Sequence, residues 1–245
     1  MAEPLSLPPV PEPPKGERLK NKVVLLTGAA QGIGEAIVAT FASQQAKLVI
    51  SDIQAEKVEK VAAHWREQGA DVVAIKADVS RQQDLHAMAK LAIELHGRID
   101  VLVNCAGVNV FRDPLQMTED DWHRCFAIDL DGAWYGCKAV LPQMIEQGIG
   151  SIINIASGIE YAPKGIRVNA IAPGYIETQL NVDYWNGFAD PHAERQRAFD
   201  LHPPRRIGQP IEVAMTAVFL ASDEAPFINA SCITIDGGRS VMYHD

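Results

Sequence analysis

The sequence predicts an open α/β fold, a parallel sheet wound with helices on both faces in a single domain. Three observations carry that expectation. Short apolar runs alternate with helix-compatible stretches, a glycine-rich turn joins the first run to the first helix, and the second run ends in a carboxylate.

Taken in order, Lys22 to Leu26 is a short strand that stops at the turn Thr27-Gly28-Ala29-Ala30-Gln31-Gly32-Ile33-Gly34. Glu35 to Gln44 follows with alanines and with Ile37 and Phe41 on one face, the spacing of an amphipathic helix. Lys47 to Ser51 reads as a strand, Glu56 to Gln68 as a helix, Asp71 to Ala77 as a strand and Asp84 to His96 as a helix. Asp100 to Asn104 is another buried-type strand. Thr118 opens a long helical region reaching Gln147, and Ser151 to Ala156 is a further strand. Arg167 to Ala172 reads as the strand after that.

With 245 residues the chain suits one large domain with a substantial core. Charged residues make up 22% and the formal net charge is −9, which disfavours nucleic acid or anionic lipid and favours a small-molecule ligand. No run of 18 apolar residues occurs and the N-terminus lacks a basic start followed by an apolar stretch, so neither a membrane span nor a secretory leader is expected and the cytoplasm is. Cys105, Cys125, Cys137 and Cys232 form no metal-ligand spacing and are expected as buried free thiols, with no metal implied. Residues 1–18 hold six prolines within the first 14 positions, composition for a disordered tail or for an extended arm lying on a neighbouring subunit. The folded domain is expected over 19–245.

The first turn is where the chemistry begins. Glycines at 28, 32 and 34, with Gln31 and Ile33 between them, let backbone approach a pyrophosphate, and the following helix N-terminus offers unpaired N–H donors. Asp52 stands 18 residues after Gly34 at the end of the second strand, with Ile53 beside it. A carboxylate there accepts hydrogen bonds from both hydroxyls of an adenosine ribose and meets a 2′-phosphate as a like charge, so NAD is expected over NADP. Alternatively, Asp52 caps a surface turn.

The spacing Gly-x-x-x-Gly-x-Gly, with Asp78-Val79, Asn104-Cys105-Ala106-Gly107, Arg167-Val168-Asn169-Ala170, Pro173-Gly174 and Asp236-Gly237-Gly238, resembles the short-chain dehydrogenase/reductase family over nearly all of residues 18–245. The resemblance implies a Rossmann-type domain in a homo-oligomer, commonly a tetramer. It implies that Asp78 and Val79 flank the adenine, that Asn104, Ala106 and Gly107 line the cofactor ribose and sheet centre, and that Pro173, Gly174, Ile176 and Thr178 hold the nicotinamide end. Asn104 could instead tie neighbouring strands together, and Pro173-Gly174 could be only a strand-ending turn.

In the family a Tyr moves the substrate proton, a Lys four residues later lowers its pKa, and a Ser about a dozen residues earlier orients the substrate oxygen. A phenol titrating near 10 needs such a cation. Ser157 matches the serine, but no Tyr-x-x-x-Lys follows: Tyr161-Ala-Pro-Lys164 has the wrong spacing, and Pro163 would break the helix that places the pair on one face. Geometry raises the same difficulty, because nine residues separate Ser157 from Arg167 whereas parallel neighbours require a crossover of about 10–12 residues or more. A segment is therefore expected to be missing between Ser157 and Gly158, either deleted from the protein or left out of the chain as read here. The second is favoured, since loss of a core helix would leave a large apolar scar. Asp129 occupies the place of a family Asn that holds a proton-relay water, either relaying differently or serving as a structural acid.

These readings imply an oxidoreductase moving hydride between NAD and a secondary alcohol or ketone. A lid is expected at 181–206, where Asp183, Tyr184, Trp185, Asn186, His192, Arg195, Arg197, Arg205 and Arg206 suit a polar substrate, unless those charges simply face solvent. The overall pattern is similar to the family's sugar and deoxy-sugar-acid dehydrogenases, such as those acting on 2-keto-3-deoxy-fuconate, with the arginines receiving a carboxylate. A β-ketoacyl carrier-protein-type reductase is the alternative substrate class. A catalytically inactive NAD-binding protein is the alternative if the deletion is real.

Overall fold

The computed structural model describes residues 4–7, 12–110, 115–155 and 165–241. Strand β1 (Val23–Thr27) leads to helix α1 (Gly32–Ser43), β2 (Lys47–Asp52) to α2 (Ala55–Glu67), and β3 (Val72–Lys76) to α3 (Gln82–His96). Then come β4 (Val101–Asn104), α4 (Glu119–Cys125), a π-helical segment (Phe126–Asp131), α5 (Gly132–Gln147), β5 (Gly150–Ile155) and β6 (Ile166–Pro173). Helices α6 (Gln179–Asn186), α7 (Pro191–Asp200) and α8 (Pro210–Ala221) precede the last strand, β7 (Cys232–Ile235).

The seven strands form one parallel sheet in the order β3-β2-β1-β4-β5-β6-β7. Alternating side chains divide the core between two faces. Val24, Leu26, Leu48, Ile50, Val103, Ile153 and Ile171 meet α1, α2 and α8, while Val23, Leu25, Val49, Leu102, Ile152 and Val168 meet α3 and α5. Both faces are apolar, which is why these strands read as continuous apolar runs.

The thiols depart from expectation. Only Cys137 is buried; Cys105 and Cys125 are half-buried and Cys232 is exposed. On β7, Ile233 and Ile235 pack against the α1/α8 face, but Cys232 and Thr234, in register with Ala170 and Ala172, point to the other face and are exposed there. Apolar neighbours in sequence did not imply burial because that strand is covered on one face only.

Residues 156–164 lie outside the described residues, and with them Ser157, Tyr161, Lys164 and the 157–158 junction. Strands β5 and β6 are adjacent and parallel, with Gly150 opposite Ile166 and Ile155 opposite Ile171, across ten intervening residues. The described part of the N-terminal arm packs on its own chain, with Gly16 N–H donating to Ser43 O at 2.9 Å. Among the described residues no helix is long and apolar enough to cross a membrane.

Candidate cofactor and substrate site

A cavity of about 770 Å³ opens at the carboxyl ends of the central strands, with walls from the turns after β1, β2, β3 and β4. It lies where the strand order reverses between β1 and β4, the place at which an open α/β sheet leaves a crevice.

The turn after β1 is shaped to be approached. Gly28 and Gly32 have φ of 70° and 62°, a region costly for residues with a Cβ. A Cβ on Gly28 would come within 2.6 Å of Ala106 Cα, and one on Gly34 within 1.9 Å of Gly28 O. Gln31 precedes α1 in extended backbone and gives it no side-chain cap, which leaves first-turn N–H groups of α1 for a ligand. Thr27 Oγ1 accepts the N–H groups of Cys105 and Ala106 at 3.2 and 3.3 Å, locking the ends of β1 and β4 together.

Asp52 lines the cavity and is nearly buried. Its Oδ2 accepts Ala30 N–H at 3.1 Å and its Oδ1 accepts Gln54 N–H at 2.9 Å. Each oxygen retains acceptor capacity for a further donor. A cation stands near the turn: Lys57 on α2 brings Nζ to 3.4 Å from Gln31 Oε1. Desolvation pushes the Cys105 thiol up to about 12, so it does not serve as a thiolate nucleophile although the residue lines the wall.

Of the other expected cofactor residues, Gly28, Gln31, Gly32, Ile33, Gly34, Ile53, Asp78, Val79, Ala106, Gly107 and Thr178 share this wall. Asp78 also fastens its own turn, its Oδ1 accepting Ser80 N–H at 3.0 Å and Ser80 Oγ–H at 2.6 Å. Asn104 is buried rather than on the wall. Its Nδ2 donates to Asn154 Oδ1 at 2.8 Å and Ala133 O at 3.3 Å, tying β4 to β5 and α5, while its Oδ1 has no partner among the described residues. Pro173, Gly174 and Ile176 stand off the wall: Gly174 N–H donates to Ile235 O at 2.9 Å, and Ile176 is buried in a bridge to Gly208.

Arg124, Ala127 and Ile128 also line the cavity and escaped the sequence reading, although their i, i+3, i+4 spacing puts them on one helix face. Gln54, Ser80, Val108, Asn109, Gln179 and Leu180 adjoin recognised motifs and were missed as their extensions.

Asp129 sits in the π-helical segment, a form frequent at functional sites, and its Oδ1 accepts Val108 N–H at 2.9 Å. It thereby holds the segment after β4 against the helix. Burial pushes its carboxyl above the usual range, and the Val108 N–H pulls the other way. A carboxyl raised in the folded state binds its proton more tightly there than when unfolded. The stability it lends is therefore present at low pH and lost as pH rises through the folded value. Asp129→Asn keeps an acceptor for Val108 and is expected to raise Tm at neutral pH while leaving it unchanged at about pH 3. A lower Tm at neutral pH would instead mean that the ionised acid is stabilised where it stands.

The arginines of the expected lid are met by acids of this chain. Arg195 Nη2 lies 2.6 Å from Glu177 Oε2, Arg197 Nη1 3.0 Å from Glu194, and Arg205 Nη1 3.3 Å from Asp200. Arg206 forks onto both oxygens of Glu212 at 2.8 and 2.7 Å. This pairing weakens the assignment of any one of them to a substrate carboxylate.

A family model described as short chain dehydrogenase matches residues 22–160, and one described as Enoyl-(Acyl carrier protein) reductase matches 157–240. Oxidoreductase UcpA of Escherichia coli (strain K12) is 36% identical over 254 residues, covering 91% of this chain and 96% of that protein. D-threitol dehydrogenase of Mycolicibacterium smegmatis is 34% identical over 251 residues, covering 91% and 95%. The crystal structure of levodione reductase superposes with a TM-score of 0.87 at 32% identity, covering 92% of this chain and all (100%) of that one. The UcpA alignment runs over 254 positions, yet 91% of 245 residues is about 223, so about thirty of its positions face no residue of this chain. With the reversal-point cavity, the glycine turn and these matches together, the chain belongs to the short-chain dehydrogenase family of oxidoreductases.

Proposed function

We propose that this chain binds NAD in preference to NADP and serves hydride transfer between the nicotinamide and a secondary alcohol or ketone of a polar, polyol- or sugar-like substrate. The observation that carries the cofactor choice is Asp52, a nearly buried carboxylate on the cavity wall with acceptor capacity beyond its two backbone donors. The wall fits the cofactor: Gly28 and Gly34 let the turn fold tightly against Ala106 and onto itself, and α1 opens toward the cavity uncapped. Bound NAD supplies the hydride acceptor. Of the residues on this wall, 28–34 would hold the pyrophosphate, Asp52 the adenosine ribose, and Asp78 and Val79 would flank the adenine, while Thr178 to Leu180 line the far wall. The polar substrate class draws support from the charge-rich lid and from similarity to a protein named as a D-threitol dehydrogenase. The paired arginines favour a neutral polyol or sugar over a sugar acid. Basic residues at 31 and 52, which an NADP-dependent acyl-carrier-type reductase would carry, are absent.

A second reading, binding of NAD without turnover, is favoured by a specific observation. None of the five tyrosines is followed four residues later by Lys. The shortfall of about thirty positions against UcpA, and the handover between the two family models at 157–160, are what deletion of a crossover helix would leave. Calorimetric titration with NAD followed by an NADH assay on a polyol and sugar panel separates the readings. Turnover supports the enzyme. Tight NAD binding with no NADH formed, in protein whose intact mass matches 245 residues, supports the silent binder. Failure to bind either dinucleotide would sink both.

A further inference from the structure

The N-terminal arm is fixed at two places, one on the body of the fold and one at α6. At the body, Gly16 N–H donates to Ser43 O at 2.9 Å and Gln44 Nε2 donates to Pro14 O at 2.7 Å, both at the end of α1. Arg18 then forks onto Glu224, one prong at 2.7 Å. At the lid, Leu5 N–H donates to Asn186 Oδ1 at 2.9 Å and Asn186 Nδ2 donates back to Leu5 O at 3.4 Å. The side-chain amide thus matches the backbone amide in both directions, as a neighbouring strand would. The Leu5 side chain joins the small apolar cluster of Val182, Trp185, Ala198 and Ile207 that holds α6 against α7.

We infer that this arm is a strap that fastens the α6–α7 lid to the body of the same chain and thereby sets how freely the lid moves. Helices of eight and ten residues are too short to be stable alone and depend on what packs against them. From Leu5 to Pro14 the sequence carries Pro8, Pro9, Pro11 and Pro13. Prolines thin the undocked ensemble, so docking Leu5 costs less entropy than it would on a flexible tail. The strap can act on the site because α6 begins beside Thr178, and Thr178, Gln179 and Leu180 line the cavity.

The test is amide hydrogen exchange on the full chain without cofactor, so a failure of the NAD assignment leaves it standing. Leu5→Asp removes the apolar anchor, and Asn186→Leu keeps bulk while removing both hydrogen bonds. Each is expected to speed exchange across 178–200 about tenfold while leaving β1 to β5 unchanged. A synthetic peptide of residues 1–14, added to chain lacking them, is expected to restore protection at 178–200. Unchanged exchange in both variants overturns the strap, as does faster exchange throughout the sheet, which would make these residues general stabilisers. Lid protection in the full chain that falls on dilution overturns it too, since the arm would then belong to another copy.

Discussion

Asp52→Ser is expected to move the ratio of NAD to NADP affinity by about a hundredfold or more toward NADP. Charge-assisted hydrogen bonds to two ribose hydroxyls contribute about 1.5–3 kcal/mol, and each 1.4 kcal/mol is about tenfold. The substitution also lifts the like-charge penalty on a 2′-phosphate, and it frees the Ala30 and Gln54 N–H groups that Asp52 now occupies. Lys57, held near Gln31, gives the incoming phosphate a cation. Adding Lys57→Ala to Asp52→Ser should therefore return part of the shift. Titration of both variants with both dinucleotides reads this directly, and an unchanged ratio in Asp52→Ser would mean that the carboxylate does not meet the ribose.

Arg195→Ala is expected to lower Tm by about 6–12 °C. Its partner Glu177 has only 2% of its side chain exposed and, among the described residues, one oxygen without a partner, so removing the guanidinium leaves a buried charge alone. Breaking such a pair costs about 3–5 kcal/mol; Arg195 is partly exposed, so the lower figure applies, and about 3 kcal/mol is about 6–12 °C in a domain of this size. Glu177→Gln in the same chain should recover most of the loss, because it removes the stranded charge. If Arg195→Ala instead leaves Tm unchanged and raises KM selectively for acidic substrates, the arginine faces substrate and the pairing with Glu177 is incidental.

The sheet through β6 was legible because strands buried on both faces are apolar without interruption, and the glycine turn punctuates the first of them. Boundaries moved by a residue or two, as at β1, expected from Lys22 and found from Val23. Helix α8 went unread for the opposite reason to α2. It is apolar on nearly every side, packing against α1 and the sheet together, so no polar face marks its period. Strand β7 has four residues and one uncovered face, too little pattern to find. In the site, Asp52 and the turn glycines were legible because their spacing is local. The pairing of Arg195 with Glu177 and the approach of Lys57 to Gln31 join residues 18 and 26 apart, and only the fold sets those distances. Asn104 makes the strand-tying contacts that the sequence left open as one of its two readings, joining two strands to a helix.

The ten residues between β5 and β6 bear on the order in which the sheet assembles. The connections from β1 to β2 and from β2 to β3 each take nineteen residues, and those from β4 to β5 and β6 to β7 are longer still. Closing the shorter loop costs about 0.6 kcal/mol less entropy than closing one twice its length. Parallel sheets ordinarily form slowly because distant segments must meet before any contact rewards them. Here one parallel pair is nearly as local as a hairpin. Ile152, Ile153, Val168 and Ile171 are therefore expected to pair early, on the β7 side of the sheet rather than at its centre.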